Sequence, residues 1–379
     1  MAGIYVHIPF CASRCIYCGF YSTTGTLHHW QDRYVKAVLA ELELRKDYLG
    51  GEAIKTLYIG GGTPSLLSPD NIRLLAHGLR TMNDKVPSQQ AVAIEEFTME
   101  CNPDDVTPYL CSVLAEAGIN RVSMGVQTFF YDRLRFLRRR HRAEDVPRAV
   151  EHLRKAGINN ISIDLMFGFP GETIEEWEQD MERGIALDVE HISAYSLMYE
   201  EGTPLYTMRE RGLITKDDEG HSAEMYDRLL DRLSEAGYVH YEISNFAKQG
   251  FRSLHNSCYW NGTKYIGLGA AAHSYDVNSR QWNTSDMAAY VRAIESGEVP
   301  MEIEISDART RYNDMITTVL RTTEGIDLGK LNTQEYRYIM KNAHKSINAG
   351  TLEVVSGRMR LTRKGLYISD EVMSDLIWV

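Results

Sequence analysis

Six short β-prone runs, GIYVHI, TLYIGG, EFTMEC, NRVSMGVQT, NISIDLMFG and HISAYSL, follow one another from the N-terminus to about residue 200, with amphipathic segments between them. A helix between successive strands is the crossover that parallel pairing needs, so the pattern predicts parallel βα units. The helices are expected at 29–48, 70–82, 107–117, 144–156 and 174–187, with another at about 218–236 after the sixth strand. AEAGINRVSMGVQ and RKAGINNISIDLMFG share one grammar, a helix closed by Gly118 or Gly157 and then a strand. This periodicity fits an open doubly wound sheet and a barrel equally well. In both, ligands gather at the carboxyl ends of the strands.

The unusual residues fall at those ends. GGGTP follows TLYI, Glu100 closes EFTME, Gln127 closes RVSMGVQ, and Asp164 stands in ISIDLMFGFPGET. A carboxylate between Ile163 and Leu165 is costly in a buried strand unless a partner meets it, so a ligand or an internal arginine is expected opposite Asp164. Three glycines after a strand also suit a phosphate cradle, but no Lys-Ser/Thr pair follows them, which argues against a P-loop.

Directly after the first strand, Cys11, Cys15 and Cys18 form a C-x3-C-x2-C loop, CASRCIYC. Three thiolates on one loop can each hold one iron of a [4Fe–4S] cluster and leave the fourth iron without a protein ligand. A zinc site closes with four ligands, and no Cys or His follows Cys18 before His28. A thioredoxin-like pair accounts for Cys15 and Cys18 but not for Cys11. The spacing therefore favours the cluster. Cys101, Cys111 and Cys258 are scattered, which is not a disulfide framework, and no signal-peptide pattern precedes Cys11, so a reducing cytoplasm is expected. No run reaches the roughly 18 apolar residues of a spanning helix.

A net charge of −11 argues against general nucleic-acid binding, which needs a basic footprint. One stretch runs the other way: DRLRFLRRRHR, residues 132–142, carries Arg133, Arg135, Arg138, Arg139, Arg140 and Arg142. Most of these read as a solvated helix face, and a few suit carboxylate partners. After about residue 237 the βα rhythm stops, giving YVHYEISNFA, HNSCYW at 255–260 and YIGLGAAAHSY at 265–275. The remainder is mostly helical until TLEVVSGRMRLTRKG, where two short strands flank Ser356-Gly357-Arg358 as a hairpin. Two units are expected, 1–237 and 238–379, the second mainly helical with a winged-helix-like portion at about 300–379. Packing or partner docking is its expected role.

YVHIPFCASRCIYC together with GGGTP at 60–64 resembles the radical S-adenosylmethionine (SAM) superfamily. Within it, HIPFC ahead of the first cysteine is similar to the branch that holds the oxygen-independent coproporphyrinogen III oxidases and the HemW heme chaperones. The resemblance covers nearly the whole chain from Tyr5 onward. It implies an incomplete (βα)6 barrel, a [4Fe–4S] cluster on Cys11, Cys15 and Cys18, and SAM bound at the open iron, where the reduced cluster supplies an electron for cleavage of the sulfonium. By the family's motif positions it implies SAM contacts at Tyr5, Tyr17, Gly61, Gly62, Thr63, Glu100, Gln127, Arg139 and Asp164, and a weaker match at Met198. It also implies an electron donor such as flavodoxin or ferredoxin.

Within the branch, three departures point away from the oxidase and toward the HemW type. The first cluster cysteine is already residue 11, Phe20 follows Cys18-Gly19 where the oxidase motif continues Cys-Gly-Cys, and HNSCYW matches the HNxxYW motif of HemW. The expected function is thus heme binding and delivery to acceptor hemoproteins, with His255 as heme contact. Cys258, Tyr259, Trp260 and His273 are secondary candidates, and His7 is expected to support the cluster loop. The alternative is the oxidase itself, decarboxylating coproporphyrinogen III to protoporphyrinogen IX, with Arg138 or Arg140 meeting propionates.

Overall fold

The computed structural model describes residues 1–25, 27–84, 93–215 and 218–379. The six expected strands are β1 (Ala2–Ile8), β2 (Ile54–Gly61), β3 (Glu96–Cys101), β4 (Arg121–Gln127), β5 (Asn160–Phe167) and β6 (His191–Ser196), parallel and adjacent in chain order. Helices at Leu27–Leu44, Pro69–Asp84, Pro108–Glu116, Asp145–Lys155, Ile174–Ala186 and Glu219–Glu235 lie within a few residues of the expected ranges. Alternation along each strand sorts the residues into two sets. Ala2, Ile4, Val6 and Ile8 of β1 join the core beneath the helices, while Gly3, Tyr5 and His7 face inward.

The sheet does not close on itself. β1 pairs on its far side with β9 (Lys264–Leu268), again in parallel. β6 pairs with β8 (Asn245–Ala247), which is antiparallel and hairpin-linked to β7 (Val239–Glu242). Beyond β9 the antiparallel strands β10 (His273–Tyr275), β11 (Ser279–Asn283) and β12 (Met301–Ile305) carry the sheet to twelve strands. This is the incomplete barrel that the resemblance implied, with the chain to Ile305 built into one sheet.

A buried ion pair fixes the extension to the first helix. Arg45 donates to Glu41 Oε1 at 3.0 Å, to Gly267 O at 3.1 Å and to Gln281 Oε1 at 2.8 Å, while Glu41 Oε2 accepts from Gly269 N at 2.8 Å and from Tyr290 at 2.6 Å. Such a pair holds only when its remaining hydrogen bonds are made, as they are here.

A separate core gathers Tyr312, Ile316, Ile339, Met359, Val372 and Leu376, with a three-stranded sheet against helices. Its hairpin joins Leu352–Val355 to Arg358–Leu361 through Ser356 and Gly357, both at positive φ, 51° and 76°, the conformation of a two-residue turn that matches strand twist. Arg363 ties this module to the helix Glu219–Glu235 by donating to Asp231 Oδ1 at 2.6 Å and Oδ2 at 3.0 Å. Among the described residues no helix is long and apolar enough to cross a membrane.

Candidate cofactor cavity

A cavity of about 420 Å³ opens at the carboxyl ends of β2 to β6. The loop that carries the three cysteines forms one wall. Its base is clasped, since Cys11 N donates to Thr23 O at 2.9 Å and Thr23 N to Pro9 O at 2.7 Å. His7 supports it from below: Nε2 meets Tyr21 O at 2.9 Å and Nδ1 meets the Tyr5 hydroxyl at 3.0 Å. Cys11, Cys15 and Cys18 all reach the cavity, with Tyr17 between the last two.

Among the described residues no three His, Cys, Asp or Glu side chains converge on a single ion. A cubane asks for something different, three thiolates on three separate irons. Burial raises the Cys11 thiol and pushes Cys18 up to about 11, so both resist ionisation until metal charge replaces the proton. Thr63 donates to Cys11 Sγ at 3.6 Å. A β-carbon on Gly62 would stand 2.9 Å from Cys11 Sγ and 2.8 Å from Phe10 O, so only glycine lets the two loops lie together. Soft thiols on one short loop, with backbone packed closely behind them, fit a [4Fe–4S] cluster.

The opposite wall carries charge. The helix Tyr131–Phe136 ends where Arg138 turns into the left-handed region, φ 61°, and this splits the arginine run. Arg139 points inward, with Nη1 3.7 Å from Cys15 Sγ and Nη2 donating to Asn102 Oδ1 at 2.7 Å and to Gly125 O. Arg140, also on the cavity wall, pairs with Asp104 and Asp105, at 3.1 and 2.8 Å. Gly125 makes room, since a β-carbon there would lie 3.0 Å from Arg139 Nη2. A register shift between Gly125 and Gln127 breaks the pairing of β4 with β5, and Gln127, at φ 68°, turns into the cavity.

Two carboxylates form the acidic side. Glu100 accepts from Tyr58 at 2.7 Å and from Gly61 N at 2.9 Å, yet burial pushes it up to about 7. Burial likewise pushes Asp164 up to about 6, against the hydroxyls of Ser193 and Ser123 and the charges of Arg121 and Arg139. These are the internal arginines expected opposite it. Both carboxyls thus titrate near neutrality and would gain from a cationic ligand. Met198, 63% exposed, lies on the rim with Phe20 and Tyr195.

Two expected contacts stand off this wall. Tyr5 lies beside it, its ring 5.9 Å from that of Tyr58 and its hydroxyl held by His7. His255 is fully buried in the helix Leu254–Asn261, between Thr56 Oγ1, 2.9 Å from Nδ1, and the Tyr259 hydroxyl, 3.0 Å from Nε2. Its ring stacks on Tyr58 at 5.1 Å, and burial lowers its pKa to about 3. As it stands, both ring nitrogens of His255 are engaged within the protein. Cys258 is also buried, its thiol 3.3 Å from Leu254 O, whereas His273 is exposed and stacked on Trp282 at 6.0 Å.

Sequence reasoning passed over several wall residues: Tyr58, Asn102, Ser123, Ser193, Tyr195 and Asn256. Ser123 and Ser193 occupy inward positions of β4 and β6, two residues from Gly125 and Tyr195, so the period of two was the available signal.

The model of the radical SAM superfamily matches residues 5–184. The heme chaperone HemW of Lactococcus lactis subsp. lactis (strain IL1403) is 32% identical over 98% of this chain and 96% of its own length. That of Bacillus subtilis (strain 168) is 33% identical over 98% of each chain. Among solved structures, coproporphyrinogen III oxidase (HemN) from Escherichia coli, described as a radical SAM enzyme, superposes with a TM-score of 0.84 over 99% of this chain and 90% of its own, at 21% identity, a likeness of fold. The chain is a radical SAM protein and belongs to the HemW family.

Proposed function

We propose that the chain holds a [4Fe–4S] cluster on Cys11, Cys15 and Cys18, binds SAM in the adjoining cavity, and carries heme to acceptor hemoproteins. The observation that carries the cofactor reading is the meeting of three thiols, Arg139 and the carboxyls of Glu100 and Asp164 around one cavity. When bound, the cluster supplies a reducing electron and an open iron. The chain's own residues do the rest. Arg139 suits the ligand's carboxylate, Glu100 and Asp164 suit its ammonium and ribose hydroxyls, Gly61, Gly62 and Thr63 suit close backbone approach, and Tyr17 and Gln127 complete the wall. A flavodoxin or ferredoxin is the proposed electron source.

The heme reading is supported by near full-length similarity to proteins named heme chaperones. Contact through His255 requires the helix Leu254–Asn261 to shift, because both ring nitrogens are engaged. Arg138 favours the second reading, the porphyrinogen oxidase. It lines the cavity and makes no side-chain hydrogen bond or ion pair among the described residues, as a propionate partner would.

One experiment separates the two. The anaerobically reconstituted chain is titrated with heme, passed to an apo-hemoprotein, and assayed with coproporphyrinogen III. Stoichiometric heme uptake and transfer without decarboxylation is the expected outcome; efficient formation of protoporphyrinogen IX overturns it.

A further inference from the structure

One buried arginine is unused by the cofactor reading. Arg121 opens β4 on its inner face, 1% exposed. Its Nε stands 3.9 Å from Glu96 Oε2, an ion pair too long for a hydrogen bond, and neither Nε nor Nη1 has a hydrogen-bond partner among the described residues. A guanidinium left short of partners inside a protein is costly unless carboxylates share its charge. Three do so. Glu96 lies toward the amino ends of the strands, and Glu100 and Asp164 lie on the cavity side, both within its field. His191, His255, Tyr58 and Tyr241 also feel Arg121, and burial keeps all four neutral.

Glu96 is committed to the helix Leu254–Asn261. One oxygen accepts from Leu254 N at 2.8 Å, the other from His255 N at 2.9 Å and Ser253 Oγ at 3.4 Å. It thereby supplies orphan N–H groups of the first turn with a charged acceptor. Asn256, one residue on, lines the cavity. Arg121 therefore lies between a helix cap and the acidic side of a ligand cavity.

We propose that Arg121 is a positioning residue that couples the occupant of the cavity to the helix carrying HNSCYW. A cation set against Glu100 and Asp164 takes over those carboxyls and shifts the guanidinium onto Glu96, which tightens the cap on Leu254 and His255. By linkage, whatever engages that helix changes the affinity for the cavity ligand by the same factor. The proposal rests on the reading of the cavity as a SAM site.

The test is amide hydrogen exchange, resolved to Leu254 and His255, in the cluster-loaded chain with and without SAM. SAM occupancy is read in the same samples by electron paramagnetic resonance. Bound SAM is expected to slow exchange at both amides by about fivefold or more, the lower end of site-to-site coupling. Arg121→Met removes the SAM-dependent difference and Arg121→Lys keeps part of it. A purely structural arginine would instead lower protection equally in both states, which overturns the assignment. SAM bound in the wild type with exchange unchanged or faster overturns the coupling and leaves the SAM reading standing. If SAM fails to bind, both fall, and if Arg121→Met does not fold, the wild-type pair and Arg121→Lys decide.

Discussion

Arg139 and Cys15 face each other across the cavity, Nη1 to Sγ at 3.7 Å, while the other arm of the same guanidinium is fixed to Asn102 Oδ1 at 2.7 Å. The cation is thus held in place before any ligand arrives, and the desolvation of its surroundings is already spent. A ligand carboxylate entering beside Cys15 meets a pre-oriented donor. Arg139→Met should leave the iron content of the reconstituted chain unchanged and weaken SAM by about one to two decades, the worth of a charge-assisted hydrogen bond of about 1.5–3 kcal/mol. Equilibrium dialysis against SAM checks this, and Arg139→Lys should recover only part, since an ammonium lacks the fork.

Gly62 tests how the cysteine loop is seated. A methyl group there collides with Cys11 Sγ and Phe10 O, so Gly62→Ala should lower iron and sulfide per chain after reconstitution. The far-UV circular dichroism should stay that of the wild type, because the collision is confined to the loop.

The carboxyl pair gives a pH dependence with a definite sign. Glu100, at about 7, and Asp164, at about 6, lie above their unfolded values, so the folded apo chain binds more protons than the unfolded chain between those limits. Their contribution to stability is full below about pH 4 and is lost as pH rises through about 6 to 7. Affinity for a cationic ligand runs the opposite way. SAM affinity should climb from pH 5.5 to about 8 and then level, by up to about tenfold per unit for each ionising group. Isothermal titration across that range checks it, and Glu100→Gln should flatten the upper part.

His255 closes a packed interior with both ring nitrogens bonded. His255→Ala should cost about 2–4 kcal/mol, from the void and from the Thr56 and Tyr259 hydroxyls left unpaired. Thermal melting of the apo chain checks this. Heme uptake measured on the same folded variant, below its melting temperature, then separates a ligand role from a structural one.

How much of this could be read from residues alone follows from what each feature depends on. The parallel strands and their helices were legible because the alternation is local, and Gly118 and Gly157 mark helix ends by their own backbone needs. The cysteine loop was legible because its three cysteines sit within one short segment. Gln127 was found by its place at a strand end, but the register slip that turns it inward depends on the neighbouring strand. The depth of His255 was not legible, because HNSCYW shows composition alone; its burial arises from Thr56 and Tyr58 on one strand and Glu96 on another. Arg121 was invisible for the same reason. A lone arginine before VSMGVQ reads as a strand flank until the sheet curls around it.

The most direct test of the cofactor centre is electron paramagnetic resonance of the anaerobically reconstituted, dithionite-reduced chain, recorded before and after SAM is added. A cluster held by Cys11, Cys15 and Cys18 alone predicts a [4Fe–4S]+ signal whose g values shift as SAM occupies the remaining iron. A signal indifferent to SAM, or material that binds zinc and no iron, would contradict the account.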